Sequence, residues 1–305
     1  CLNAAPPRSP EPSTSIKFVE NDSKDETQID DLNLLTNKYW EKSVINGWRV
    51  GELGAKERLT EFIKTEIADY KEGRNFPVKA NVSRLSPYLH WGEVSPNTVW
   101  YAAKQKIEFN PHLEQDIGHF LSELGWREFS NSLLYHFPGL PKTNLQSKFD
   151  NFPWITDERL LKAWQTGQTG YPIVDAGMRQ LWQTGYMHNR LRMIVGSFLV
   201  KNLLLHWHHG ESWFWNCLFD ADLANNSAGW QWIAGCGADA APYFRIFNPV
   251  TQGKKFDPDG VFVRRFIPEL ENLPNSVLFT PWEASTELLD KCKVKLGVTY
   301  PKPIV

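Results

Sequence analysis

The sequence predicts an all-α fold. The stretch "GAKERLTEFIKTEIADY" places Leu59, Phe62, Ile63 and Ile67 on one face of a helix. Further along, "LRMIVGSFLVKNLLLHW" repeats the helical spacing of apolar residues. Runs of β-branched residues in strict alternation are almost absent, and neither a β-α-β pattern nor an internal repeat occurs. A multi-helical domain is therefore the predicted architecture.

Three sets of residues predict where helices begin or end. Ser95 and Pro96 have the pattern of an N-cap followed by the first helical residue. The helical stretch "HLEQDIGHFLSELGWREFSNSLLYHF" is followed by Pro138 and Gly139, which end helices. The stretch "VDAGMRQLWQTG" ends in Gly185, which is predicted to be a C-capping glycine.

Composition divides the 305-residue chain into two parts. Residues 1–36 are rich in Pro, Ser and acidic residues, so they are predicted to be a poorly ordered linker. Residues 37–305 are predicted to be one helical domain. The linker holds three basic and seven acidic residues, which leaves 30 basic and 28 acidic residues in the domain. The domain is thus slightly basic, which permits a nucleic-acid partner without requiring one.

Several classes of protein are excluded by what the sequence lacks. It has no run of eighteen apolar residues and no signal pattern, so no membrane span or secretion is predicted. Dinucleotide, P-loop, hydrolase and zincin motifs are also missing. In "HWHHGE", adjacent histidines on a helix point in different directions, so they are predicted to be solvated or capping residues and no metal is expected. The cysteines have no metal-ligand spacing and are predicted to be free thiols: Cys1, Cys217, Cys236 and Cys292.

The stretch "GYPIVDAGMRQLWQTGYMHNRLRM" (residues 170–193) ends in a dense polar block. On a helix, Asn189, Arg192 and Met193 share one face, which suits a flat, polar, aromatic ligand. The downstream stretch "LFDADLANN" supplies Asp220 and Asp222. Because a buried acid needs a partner, Arg192 is predicted to pair with Asp220.

With these residues the chain resembles the photolyase/cryptochrome family, and most closely its bacterial members that repair cyclobutane pyrimidine dimers. The segments that carry the resemblance occur in order across roughly residues 37–305: "SRLSPYLHWGEVSP", "ELGWREF", "WQTGQTGYPIVDAGMRQLWQTGYMHNRLRM", "DADLANN", "GWQW" and "DAAPYFRIFNPVTQGKKFD". The resemblance implies a helical domain that holds reduced, non-covalently bound FAD. It also implies that the antenna chromophore, which an N-terminal α/β domain binds in the family, is not expected in this chain.

The resemblance assigns the cofactor contacts to two sets of residues. The first set would meet the phosphates and the ribitol: Tyr70, Val82, Ser83, Arg84, Leu85 and Ser86. The second set would surround the flavin and the adenine: Arg127, Arg192, Asp220, Asp222 and Asn226. Val82 replaces a threonine that is common in the phosphate loop, so one hydroxyl contact is lost.

The resemblance also implies a substrate, which is a pyrimidine dimer in UV-damaged DNA that is flipped out of the duplex. Trp126 and Trp232 would line the lesion pocket, with Phe120 where some members have tryptophan. Glu123 would contact the thymine carbonyls if an apolar setting held it protonated. The remaining DNA contacts are assigned to Arg74, Asn189, Arg190, Met193 and Gln252.

A chain of three indoles, Trp154, Trp207 and Trp230, matches the family's route for an electron from the surface to the flavin. Asn226 would face flavin N5, where plant cryptochromes carry Asp, and this favours repair. Asn189 stands where six-four photolyases have histidine. We therefore expect light-driven repair by a monomer, in the cytoplasm of a bacterium or in the nucleus or an organelle of a eukaryote. The alternatives are a cryptochrome-type blue-light receptor and an inert flavin-binding domain.

Overall fold

The computed structural model describes residues 5–7, 28–32, 44–45, 47–239 and 246–305. Within these ranges the chain is helical, with isolated β-bridges at Ile155–Leu205 and Leu296–Tyr300. The longer helices are α1 (Glu52–Glu61), α4 (Pro96–Phe109), α5 (Glu114–His136), α6 (Glu158–Gln165), α7 (Pro172–Thr184), α8 (Asn189–Ser197), α9 (Trp207–Cys217), α10 (Leu223–Ala234) and α11 (Pro249–Phe256). The shorter ones are α2 (Tyr70–Gly73), α3 (Ser86–His90), α12 (Val261–Phe266), α13 (Asn275–Leu278) and α14 (Thr286–Lys291). The predicted all-α fold is confirmed.

Most of the predicted linker at residues 1–36, the start of the predicted domain at residues 37–43, Cys1 and residues 240–245 of the "DAAPYFRIFNP" segment lie outside the described residues. The division of the chain at residue 36 thus stays a prediction. Cys217, Cys236 and Cys292 are free and buried, as expected. Among the helices that the structure describes, none is both long and apolar enough to cross a membrane.

The predicted helix boundaries are confirmed. Ser95 Oγ accepts a hydrogen bond from the Thr98 backbone N–H at 3.0 Å, which caps α4. Helix α5 ends at His136, just before Pro138. Gly185 terminates α7 with a φ of 63°, in the left-handed region that favours glycine.

The apolar stripe after Gly54 does not belong to one regular α-helix. Helix α1 ends at Glu61, and residues Phe62–Glu66 form a π-helical turn in which Ile67 N–H donates to the Phe62 carbonyl at 2.9 Å. A π-helical turn contains one residue more than an α-helical turn. Both Phe62 and Ile67 are buried. Ile63 is only half-buried. The spacing thus predicted most of the burial correctly but did not reveal the change of helix type.

Two hydrophobic clusters make up the core. The smaller cluster packs α1, α4 and α5 around Phe62, Tyr70 and Phe120. The larger one is built around α7, α8, α9 and α10, and includes Trp207 and Trp230. Because helix α5 packs against α10, the two clusters lie side by side. Residues of both clusters line the cavity described below.

Helix α9 packs closely on helix α10 where Gly210 meets the Trp230 ring. A Cβ at Gly210 would overlap the indole carbons, whereas a Cβ at Gly229 on α10 would meet nothing within 4 Å. We expect Gly210→Ala to lower the free energy of unfolding by about 1 to 3 kcal/mol through overpacking. Gly229→Ala is the control and should leave stability unchanged or raise it by up to about 1 kcal/mol. Urea unfolding of both variants measures this, and equal effects would contradict the packing argument.

Candidate functional site

A cavity of about 310 Å³ lies between the two hydrophobic clusters. Its volume is at the lower end of the range for small-molecule sites. The wall combines arginines, carboxylates, hydroxyls and aromatic rings. Twelve of the predicted site residues line it: Tyr70, Arg74, Ser83, Leu85, Ser86, Glu123, Trp126, Arg127, Asn189, Arg192, Asp220 and Asp222.

The loop before α3 supplies hydroxyl and backbone groups to one side of the cavity. Ser83, Leu85 and Ser86 line the wall, and the backbone of Arg84 has a φ of 51°. The Arg84 guanidinium turns away to lie 4.9 Å from the rings of Trp48 and Tyr186. Neither Arg84 nor Val82 lines the cavity. The predicted phosphate loop thus reaches the cavity through three of its five residues.

Arg192 and Asp220 form the predicted ion pair. Arg192 Nη2 donates to the two carboxylate oxygens of Asp220 at 3.1 and 2.9 Å, and its Nε donates to the Met187 carbonyl at 2.8 Å. Asp220 is 8% exposed, so its charge is largely withdrawn from water and depends on this partner. The prediction of this pair is confirmed.

Asp222 has a structural contact as well as a place in the cavity wall. Its carboxylate caps α10 by accepting from the Asn225 backbone N–H at 2.8 Å. The other oxygen lies 3.4 Å from His90 Nδ1. Asn225 lines the cavity, whereas the neighbouring Asn226 donates its amide to the Glu211 carbonyl at 2.9 Å. The structure therefore places Asn226 next to the wall and not among its lining residues.

Glu123 forms an ion pair with Arg74 at the cavity wall. The two side chains are 35% and 13% exposed, respectively. Glu123 thus has a charged neighbour, whereas an apolar setting was expected. Trp126, one turn further along α5, is 60% exposed at the edge of the cavity. Arg127 lines the wall and pairs with Glu128 at 2.8 Å.

The remaining predicted DNA-contacting residues lie outside the cavity wall. Arg190 bonds Asn75, and its guanidinium lies 4.4 Å from the Phe256 ring. Arg190 Nη1 also lies 3.9 Å from Met193 Sδ. Gln252 lies one helical turn before Phe256 on α11. Trp232 is partly buried against the larger cluster, so only Trp126 of the predicted ring pair lines the cavity.

Of the three predicted indoles, Trp207 lies on α9 and Trp230 on α10, and Trp154 precedes Ile155, which forms the β-bridge with Leu205. Trp230 and Trp207 are 4% and 0% exposed, and Trp154 is partly buried. Trp207 Nε1 donates to Asn144 Oδ1 at 2.9 Å. His206 caps α9 by accepting from the His208 backbone N–H at 3.2 Å, as expected for a capping histidine. Within the described ranges no group of three His, Cys, Asp or Glu side chains is placed to hold a metal ion.

Sequence reasoning missed two groups of residues near the cavity. Tyr186 and Met187, just before the polar block, line the wall together with His90. His188 caps α8 by accepting from the Arg190 backbone N–H at 3.2 Å and is only 2% exposed. The signal in the sequence was the position of Tyr186, Met187 and His188 immediately before the start of α8 at Asn189. Their aromatic and uncharged side chains gave no reason to choose them.

The burial of His188 predicts a pH dependence of stability. Burial, and then the positive charges of Arg74, Arg190 and Arg192, lower its pKa from 6.5 to about 3. The unfolded chain therefore binds a proton below pH 6.5 that the folded protein does not bind until about pH 3. Stability from this group is present above pH 6.5 and is lost as the pH falls, by at most about 1.4 kcal/mol per pH unit.

Replacing His188 with asparagine, which also caps helices, should remove this loss. We expect the free energy of unfolding of the His188→Asn variant to fall less steeply than that of the parent between pH 6.5 and 4.5. Urea unfolding at several pH values measures both slopes. Parallel slopes for parent and variant would contradict the assignment.

The fold and the cavity together define a helical ligand-binding domain whose wall combines positive charge, carboxylates and hydroxyls. The profile of the family described as "FAD binding domain of DNA photolyase" matches residues 120–305. The chain therefore belongs to this family, the FAD-binding domains of the DNA photolyases.

Relatives with known names agree with this membership. A deoxyribodipyrimidine photo-lyase from Agrobacterium fabrum is 54% identical over 273 residues, which are 89% of this chain and 56% of the relative. Cryptochrome-2 from Arabidopsis thaliana is 43% identical over 85% of this chain and 43% of its own length. A bacterial class III photolyase from Agrobacterium tumefaciens superposes with a TM-score of 0.87 at 52% identity, over 92% of this chain and 58% of that one. The chain spans about half the length of the curated relatives it matches.

Proposed function

We propose that this chain binds FAD in the cavity and, with the flavin reduced, uses light to repair cyclobutane pyrimidine dimers in DNA. The observation that carries the proposal is the cavity itself. It joins the buried Arg192–Asp220 pair on one side to the exposed Trp126 on the other. A buried polar wall suits a cofactor, and an exposed aromatic ring at its edge suits a base.

The donor set of the cavity fits FAD. Ser83 and Ser86 offer hydroxyl groups to phosphate oxygens, and the Leu85 N–H, which donates to Ser83 Oγ at 3.4 Å, lies beside them. Asp222 has carboxylate oxygens that can accept from sugar hydroxyls, and Arg192 and Arg127 balance negative charge. Asn226 would have to leave its bond to the Glu211 carbonyl to reach flavin N5. Bound FAD would supply light absorption and one-electron chemistry.

On the substrate side, the residues of this chain bind and orient the lesion. Trp126 stacks on a flipped base, a contact that contributes about 1 to 3 kcal/mol per base. Arg74, paired with Glu123, lies at the same wall and brings positive charge close to DNA phosphates. The other residues that are predicted to contact DNA do not line the cavity: Arg190, Met193, Gln252 and Trp232. The chain acts as a monomer on UV-damaged DNA, in the cytoplasm of a bacterium or in the nucleus or an organelle of a eukaryote.

The indoles provide a route for electrons between the surface and the cavity. Trp154 is partly buried, Trp207 fully buried, and Trp230 buried on α10, the helix that begins at the cavity. Each indole is an oxidisable aromatic ring, and Trp207 and Trp230 are held in the packed core. We infer that Trp154 passes an electron to Trp207, and Trp207 to Trp230, to restore the reduced cofactor.

A blue-light receptor is the second candidate function, because a plant cryptochrome is 43% identical to this chain over 85% of its length. Both functions use a flavin and the tryptophan route, so flavin binding does not discriminate between them. Repair requires Trp126 at the lesion, whereas light sensing does not. Trp126→Ala therefore separates the two functions.

The test is a repair assay on an oligonucleotide with one thymine dimer. Purified protein should show flavin absorption bands. After chemical reduction of the flavin, blue light should restore the dimer to thymines, and Trp126→Ala should reduce repair about tenfold or more. Tyr135→Ala, which removes an exposed ring on the same helix away from Trp126, is the control. Flavin binding without light-dependent repair would refute the repair proposal and leave the receptor.

A further inference from the structure

His206 lies between the two outer indoles of the tryptophan route. Its ring centroid is 5.3 Å from that of Trp154, with an interplanar angle of 69°, and 5.6 Å from that of Trp207, with an angle of 28°. The imidazole thus contacts one indole with its edge and lies nearly parallel to the other. His206 is half-buried, between a fully buried and a partly buried tryptophan.

The backbone holds this arrangement at a strained position. Ile155, next to Trp154, donates its N–H to the Leu204 carbonyl at 3.0 Å, and Ile155 forms a β-bridge with Leu205. Leu204 has a φ of 52°, which a leucine adopts only at a cost in energy. The bridge places the Trp154 segment directly beside the segment that begins α9.

The hydrogen bonds of His206 define the state of its ring. Nδ1 accepts from the His208 N–H, so in the neutral ring the proton is on Nε2. Burial, and then the neighbouring His208 and His209, lower the pKa of His206 to about 4, which keeps the ring neutral at pH 7. A neutral ring does not repel the positive charge that forms on an indole when it loses an electron. The indole N–H of Trp207 is held separately by Asn144, which in turn donates to Asp150 at 2.8 Å.

We propose that His206 is a positioning residue for the outermost electron transfer. Its ring holds the rings of Trp154 and Trp207 at a fixed distance and orientation. This inference rests on the proposed electron route. One electron leaves Trp154 for the oxidised Trp207, so Trp154 becomes the radical cation and Trp207 returns to its neutral form. An external thiol then reduces Trp154. No proton moves to His206, because its Nδ1 lone pair is occupied by the helix cap.

Two variants separate the ring of His206 from its cap. His206→Asn keeps a capping side chain and removes the ring, whereas His206→Phe keeps a ring and removes the cap. We expect His206→Asn to slow the photoreduction of oxidised FAD, with a thiol as donor, by roughly tenfold, since small displacements of reacting groups have large effects on rate. His206→Phe should stay within about threefold of the parent. His209→Asn, the same change at an exposed position of α9, is the matched control and should photoreduce like the parent.

A combined variant tests whether His206 acts through Trp154. Trp154→Phe removes the outer donor and should be at least as slow as His206→Asn, and the double variant should be no slower than Trp154→Phe alone, because both changes affect the same step. A merely structural role would give additive losses. In the flavin-free protein, NMR of the imidazole nitrogens should show the Nε2–H tautomer of His206. Repair by chemically reduced protein should be unchanged in His206→Asn.

Three outcomes overturn the proposal. The first is that His206→Asn photoreduces its flavin at the parent rate. The second is that the parent shows the Nδ1–H tautomer of His206. The third is that His206→Phe photoreduces slowly although it keeps a ring. If His206→Asn does not fold, the Phe variant and the tautomer decide the question. A parent that photoreduces its flavin but does not repair DNA would refute the repair function and leave the role of His206 intact.

Discussion

Replacing Asp175 with alanine is expected to lower the free energy of unfolding by about 4 kcal/mol or more. The Asp175 carboxylate is fully buried and accepts four hydrogen bonds. Two come from the N–H and hydroxyl of Thr169 at 2.7 and 2.6 Å, one from Gly170 N–H at 3.0 Å and one from the Tyr300 hydroxyl at 2.6 Å. Each donor left unpaired in the core costs about 1 to 3 kcal/mol. A loss this large is exceptional for one substitution.

The network also attaches the C-terminal segment to α7. Thr169 accepts from the Ile304 N–H at 3.1 Å, and Tyr171 donates to the Val305 carbonyl at 2.6 Å. Asp157→Ala is the control, because that carboxylate accepts from the Leu160 backbone N–H at 2.9 Å, at the start of α6. Its loss should cost about 1 kcal/mol. Urea unfolding measures both variants, and similar losses would show that the Asp175 network is not the source of the stability.

Replacing Arg192 with alanine is expected to weaken FAD binding about 100-fold. The change leaves Asp220 buried without its cation and removes a positive charge from the cavity wall. Losing a hydrogen bond that involves a charged group typically costs about 1.5 to 3 kcal/mol, and each 1.4 kcal/mol is a factor of ten in affinity. Arg192→Lys should lie between the parent and the alanine variant, because lysine keeps the charge but has no second nitrogen to bond the Met187 carbonyl as well as Asp220.

Arg179→Ala serves as the matched control for Arg192→Ala. Arg179 is also largely buried and pairs with Glu269 at 2.7 Å, but it does not line the cavity. It should lower stability while FAD affinity stays close to that of the parent. Fluorescence titration of the flavin-free proteins with FAD measures both. Equal losses of affinity in the two variants would mean that the effect is on folding and not on the site.

The sequence was sufficient to predict those site interactions that require only opposite charges within a recognisable motif. The Arg192–Asp220 pair joins residues 28 positions apart, and a buried acid requires a cation. The caps at Ser95 and Gly185 depend on local backbone geometry, so neighbouring residues were sufficient to predict them. The capping role of His206 could be predicted for the same reason.

Other features could not be predicted because they depend on residues that are remote in the chain. Arg74 meets Glu123 across 49 positions, and this contact gives Glu123 a charged neighbour where an apolar one was expected. The choice between Asn225 and Asn226 as the lining residue depends on how α10 rotates against α9, since Asn226 bonds Glu211. Both outcomes depend on helix packing, which periodicity alone does not specify.

The sequence by itself determined that the protein is all-helical, that its helices end at particular residues, and that it belongs to a flavin-binding family. These properties depend on local propensity, spacing and contiguous motifs. Only the tertiary structure decided which side chains meet in the cavity, how Asp175 holds the C-terminal segment, and why His206 lies between two indoles. These contacts join distant segments, and they form only when burial of the two hydrophobic clusters brings the helices together.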